Sequence, residues 1–143
     1  DRHPSGASST PSSDLATPKL CGCKAVDALC HYAIVRTDLP LGFLAAQLVH
    51  AAGETSPGGP LPPETNAIVL SVPDEAALLA VAERLRAAEV PHHLVREPDA
   101  PYFGQATAIG IRPIARNCIR PYVSSLPLLR EPGAPKARRK EAA

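Results

Sequence analysis

The sequence predicts an α/β domain, a mixed four-stranded sheet flanked by helices on both faces, between two low-complexity tails. Strand-like and helix-like stretches alternate through the middle of the chain. One of them, 67–72, is a nearly continuous apolar run, the pattern of a strand buried on both faces. Two strand-like stretches near the end are separated by only a short loop, so one pair is antiparallel and the sheet is mixed.

The elements follow in order. His31-Tyr-Ala-Ile-Val-Arg36 is short, partly β-branched and bounded by polar residues, as a strand is. Asp38-Leu-Pro-Leu-Gly42 is a turn. Residues 43–52 repeat apolar positions at 44, 48, 49 and 52, which predicts a helix closed by Gly53. A Pro/Gly loop covers 54–65. Pro73-Asp74-Glu75 opens a second helix, with acids placed favourably in its first turn. Its apolar positions 78, 79, 81, 82 and 85 carry it to about Ala88. Residues 92–96 and 105–111 are the third and fourth strands. Residues 114–123 are helix-like with a break near Pro121, and 124–129 close the domain. The order is β-α-β-α-β-β-α.

The chain has 143 residues, 45% hydrophobic and 20% charged, enough for one core with tails. No apolar run is long enough to span a membrane, and 17 prolines exclude a coiled coil. Residues 1–30 form a low-complexity N-terminal extension, 31–130 the domain, and 131–143 a basic flexible C-tail. The net charge of +1 argues against binding nucleic acid by bulk charge. Divided, the domain carries eight Arg, no Lys and nine acids, while the C-tail has a net charge of +2. The positive charge of the domain is therefore all arginine. A start at Asp1 without Met suggests a processed chain or a piece of a longer one, with no intact targeting segment.

Three of the four cysteines crowd into Cys21, Cys23 and Cys30, which does not look like a disulfide framework. Plain thiols in a reducing cytoplasmic or organellar (mitochondrial) interior are expected. Cys21, Cys23, Cys30 and His31 are zinc-ligand types, but their spacing matches no familiar finger or ribbon. His92 and His93 point to opposite faces of a strand and do not share a metal. No metal site and no cofactor are expected.

Two stretches carry a family resemblance. The first is Val35-Arg-Thr-Asp-Leu-Pro-Leu-Gly42 with Ala45-Ala-Gln-Leu-Val-His-Ala-Ala52. The second is Glu97-Pro-Asp-Ala100 leading to Ala108-Ile-Gly-Ile-Arg-Pro113. Together they resemble the type 2 peptidyl-tRNA hydrolases of archaea and eukaryotes over about 31–130. The predicted element order agrees with that family's mixed four-stranded sheet. The resemblance implies hydrolysis of the ester between peptide and tRNA, with tRNA or peptidyl-tRNA as partner and a homodimer as one assembly. Two departures are specific. The family's Gly-Lys-Gly-Lys reads Leu41-Gly-Phe-Leu44 here, without its catalytic lysine. The family's Asp-Ala-Gly-x-Thr-Gln turn reads Asp99-Ala-Pro-Tyr-Phe-Gly-Gln105. This is the pattern of a divergent branch.

Ester hydrolysis needs an activated water, a stabilised oxyanion and a held 3′ end. Asp99 matches a catalytic family residue; an ordinary turn also favours Asp. Asp38 leaves the first strand at its carboxyl end, where α/β sheets bind ligands. Gln47 and His50 are three residues apart on one helix, with His50 a base or hydrogen-bond partner. Asp38 as a helix cap, with Gln47 and His50 as satisfied polar groups, is the other reading. Arg36, Gln47, Gln105, Arg112, Arg116 and Arg120 are candidate substrate contacts, and the arginines suit phosphates. A solvated face explains the arginine spacing as well. The missing lysine keeps a second function open: a catalytically inactive structural or binding subunit, within a ribosome-like ribonucleoprotein particle.

Overall fold

The computed structural model describes residues 28–131. The expectations for both tails and for Cys21 and Cys23 lie outside the described residues. The elements are β1 (Leu29–Arg36), α1 (Leu41–Glu54), β2 (Asn66–Val72), α2 (Glu75–Ala87), β3 (His93–Glu97), β4 (Gln105–Ala115) and α3 (Arg116–Val123). The sheet order is β2-β1-β4-β3. β1 pairs with β2 in parallel and with β4 antiparallel, and β3 pairs with β4 antiparallel. The mixed α/β sheet is therefore as the sequence predicts.

Alternation along β1 sends Cys30, Tyr32 and Ile34 to one face and Ala33 and Val35 to the other. On the first face α2 and α3 bring Leu78, Val81, Leu85, Ile119 and Val123 onto Leu70, Ile109 and Ile111. Full burial of each large aliphatic chain contributes about 1.5–3 kcal/mol. On the second face α1 packs Leu44 and Ala51 against Ala33, Val35, Val95 and Ala108. Here the approach is close. A Cβ on Gly110 would collide with the Ala51 carbonyl oxygen and lie 2.8 Å from Thr55 Cγ2. Glycine at 110 is what lets the end of α1 lie directly on β4.

The boundaries shift at several ends: α1 begins at Leu41, inside the expected turn, β2 begins at Asn66, and β3 is His93–Glu97, so His92 precedes the strand. Four further differences have a local cause. Leu29 and Cys30 belong to β1 rather than to the N-terminal extension, because they pair with Ala115 and Ile114. α1 runs through Gly53 to Glu54, where Thr55 ends it and donates its hydroxyl to the Ala51 carbonyl at 2.7 Å. α2 starts one residue after Asp74, whose carboxylate accepts from Ala77 N at 2.9 Å as an N-cap. β4 continues to Ala115, so Ile114 and Ala115 are strand and α3 begins at Arg116 with Pro121 inside it. A register shift opposite His31 lets β4 pass Pro113, which cannot donate to a ladder. After α3 the chain returns along β2: Ser71 N donates to Pro127 O and Leu129 N to Val69 O, each at 2.9 Å. That segment covers the outer edge of β2.

The expectation of plain thiols is corrected at Cys118, which is disulfide-bonded. Its position in sequence, far from the other three, carried no hint of it. Cys30 is a free, buried thiol in the core. Among the described residues no cluster of three metal-ligating side chains exists. No helix among them is long and apolar enough to cross a membrane.

Candidate functional site

The polar centre of the fold lies where β1 ends and α1 begins. It is built around a bulge. Val95 pairs with Ala108 and Arg96 with Ala106, so Thr107 is an extra residue in β4. The neighbouring Ala106 peptide is held by side chains. Its N–H is donated to Glu75 Oε1 at 2.8 Å, and its carbonyl accepts from Arg36 Nη1 at 2.9 Å.

Arg36 is buried and directs four of its five N–H groups at the protein. Nε and Nη2 donate to the two oxygens of Asp38 at 2.9 and 2.8 Å, and Nη1 also reaches Gln105 Oε1 at 2.9 Å. This fork-on-carboxylate geometry is the strong form of the pair. The hydrogen bonds from Arg36 hold the Asp38 carboxyl below the ordinary carboxylate range, against some desolvation. The same pair raises the Arg36 guanidinium, with Glu75 adding to the effect. Asp38 is not a helix cap: the N-cap of α1 is Pro40, without a side-chain cap bond.

A second chain of bonds joins α1 to the β3–β4 turn. Thr107 is wholly buried and its hydroxyl donates to Gln47 Oε1. Gln47 Nε2 donates to Glu97 Oε2 at 3.3 Å, and Glu97 Oε1 accepts from Asp99 N at 3.2 Å. The turn is fixed further by Tyr102 N and Phe103 N, which donate to Asp99 O at 2.9 and 3.0 Å, and by Gly104 N to Glu97 O at 2.7 Å. Across from it the Phe43 ring of α1 stacks on Tyr102, centroids 4.4 Å apart and planes 14° apart.

Of the residues singled out from sequence, Arg36, Asp38 and Gln105 come together in direct bonds. Gln47 and Asp99 join through Glu97. The Asp99 side chain is exposed and makes no hydrogen bond to the described residues. His50 is exposed one turn along α1 from the buried Gln47, so the two do not share an environment. Arg112, Arg116 and Arg120 are exposed but lie elsewhere. The register places Arg112 beside the start of β1, and Arg116 N donates to Ala28 O. From His31 to Arg36 a strand spans ~17 Å. Glu75, Glu97 and Thr107 were not singled out from sequence. The signal for Thr107 is a polar residue inside an apolar run, which must find a buried partner.

At the other end of α1, His31 Nε2 lies 2.8 Å from Thr55 Oγ1. The Thr55 proton goes to Ala51 O, so His31 is the donor and carries its proton on Nε2. Burial lowers its imidazole below the usual value, favouring the neutral ring.

Residues 63–129 match the family model described as peptidyl-tRNA hydrolase PTH2. That stretch runs from the loop before β2 to the end of the return segment, and includes Asp99, Gln105 and Thr107. Among solved structures, the chain is similar to a protein of unknown function from Agrobacterium tumefaciens str. C58. Identity is 16%, coverage 71% of this chain and 98% of that one, and the TM-score 0.47. Among curated proteins nothing matches.

Proposed function

From the match of residues 63–129 to the PTH2 peptidyl-tRNA hydrolase family model, we propose that the chain hydrolyses the ester between a peptide and the ribose of tRNA, at the carboxyl end of β1. One observation carries the reading. Asp99 holds an exposed carboxylate on a turn fixed by main-chain bonds, at the end of the sheet where Arg36 holds Asp38.

The roles follow from the bonds. Asp99 is the group free to orient and polarise water. Asp38 stays anionic with both oxygens on Arg36, so it contributes fixed negative charge rather than a base at neutral pH. Arg36 is a positioning residue that sets Asp38 and Gln105. His50, exposed on α1, is the candidate proton acceptor. Gln47 and Thr107 tie α1 to the turn, so the two sides of the site keep their spacing. Arg112 and Arg116, near the start of β1, and the exposed Arg120 contact phosphates of the tRNA body rather than the ester.

The absence of lysine from 31–130 favours a second reading, a binding subunit that holds the tRNA end without cleaving it. Release of peptide from purified peptidyl-tRNA separates the two. Turnover by the full chain, lowered at least ~100-fold in Asp99→Ala and lowered also in His50→Ala, supports hydrolysis. Binding of tRNA with no turnover supports the second reading. Equal turnover in all three proteins rejects the site.

A further inference from the structure

The chain has five aromatic residues, two Phe and three Tyr. Three of them, Phe43, Tyr102 and Phe103, meet at the β3–β4 turn and the first turn of α1. Phe43 and Tyr102 are half-buried and satisfy each other by stacking. Phe103 does not join the stack and is 77% exposed. Solvation of so large an apolar ring has no structural return, because truncating it would remove no core contact.

The backbone under Phe103 is also unusual. Its φ is +44°, in the left-handed region that a bulky residue occupies only under constraint. The constraint is visible. Phe103 N donates to Asp99 O, Gly104 N to Glu97 O, and Arg96 Nη1 to Gly104 O at 2.9 Å. A strained residue held by surrounding bonds, with its ring in solvent, points to a use for that ring.

We propose that Phe103 is a stacking surface for an unpaired nucleobase at the 3′ end of an RNA. The inference rests on the peptidyl-tRNA reading above and names the part of that substrate the turn would hold. The neighbours favour a base over an apolar side chain. The turn offers a ring on a fixed backbone, with Gly104 and Gln105 after it and Asp99, Ala100, Pro101 and Tyr102 before it in sequence. Every base has a π-face and stacks on such a ring without needing a pocket. The exposed Arg96, anchored to the same turn by Gly104 O, supplies a cation for the adjoining phosphate.

The test uses the full chain and a short single-stranded RNA whose 3′-terminal base is the fluorescent analogue 2-aminopurine. Stacking quenches that fluorophore. Wild type is expected to quench it, and Phe103→Ala to abolish quenching and weaken binding ~5- to 150-fold. Phe103→Tyr is expected to retain both. Phe103→Leu keeps an apolar side chain without a π-face and is expected to behave as the alanine variant. No quenching by wild type, or undiminished quenching in Phe103→Ala or Phe103→Leu, overturns the proposal. The ring is solvent-exposed, and the melting temperatures of the variants confirm that each is folded. Phe103-dependent quenching without peptide release upholds stacking and rejects hydrolysis. Peptide release with kcat/KM unchanged in Phe103→Ala upholds hydrolysis and rejects stacking.

Discussion

The two faces of the sheet are built on different principles. The α2/α3 face is a dry aliphatic layer in which Ile34, Leu78, Leu85, Ile109, Ile111 and Ile119 are fully buried. The α1 face is thinner and polar. Alanines and Gly110 bring the helix onto β4, and Gln47 and Thr107 sit where aliphatic side chains would otherwise pack, while the buried Arg36, two residues after Ile34, falls on the α2 side at the sheet's end. One face supplies stability; the other accepts buried polar groups, each of which must be partnered, in order to position a site. Among the described residues no buried side-chain nitrogen or oxygen is left without a partner.

The largest expected effect is on the aliphatic face. Leu85→Ala removes a wholly buried side chain beside β4, and destabilisation by about 2–5 kcal/mol is expected in urea unfolding. The α1 face should be untouched, so ligand binding by the remaining folded protein stays as in wild type. Gly110→Ala breaks the close approach on the other face. Its Cβ meets backbone at Ala51 O, which cannot rotate away, and a loss of about 1–3 kcal/mol is expected. Here the His31–Thr55 bond should also be lost, read by the imidazole shifts in NMR.

Thr107→Val is next. It keeps the shape and leaves Gln47 Oε1 without its donor, at about 1–3 kcal/mol. Thr107→Ser restores the hydroxyl and is expected to recover most of that loss. If valine costs nothing, the polar face is not held by this bond.

Acid separates the faces without mutation. Both affected groups belong to β1 and the turn after it, and both have lowered values in the folded state. His31 therefore contributes stability above its unfolded value of 6.5, and that contribution is lost as pH falls below it. Asp38 contributes above its unfolded value of 3.8 and loses that contribution as pH falls through its lower folded value. Melting temperature against pH should fall in two steps, the first beginning below 6.5. His31→Gln should flatten the first step only. The smallest effect belongs to α2: Arg86→Ala removes a fully exposed pair with Glu83, and no measurable change in melting temperature is expected.

Much of the fold was legible. The helical spacing of 78, 81, 82 and 85 reports burial directly, though Leu79 faces out, and the apolar run at β2 is fully buried only from Leu70 to Val72. The site was legible only where a side chain acts alone. Asp38, Arg36 and Gln105 were singled out separately, and the structure joins them. Asp38 as a helix cap failed because Pro40 takes the cap and Arg36 takes both carboxylate oxygens. Glu75 and Glu97 escaped notice because a glutamate that accepts one backbone N–H looks like any surface acid until β4 bulges beside it. In sequence the arginines at 112, 116 and 120 read as a stripe that could grip phosphates together with Arg36; antiparallel pairing and the Arg116 N–Ala28 O bond put Arg112 and Arg116 near the start of β1. The disulfide at Cys118 is a tertiary fact with no local signature.

The central claim is that the site lies at the carboxyl end of β1, between α1 and the β3–β4 turn. Amide chemical shifts of the full chain, titrated with a short RNA bearing an aminoacyl ester at its 3′ end, test it most directly. The expected result is saturable shifts clustered on 38–43 and 97–107. Shifts confined to 112–120, with 38–43 and 97–107 unmoved at saturation, would contradict it.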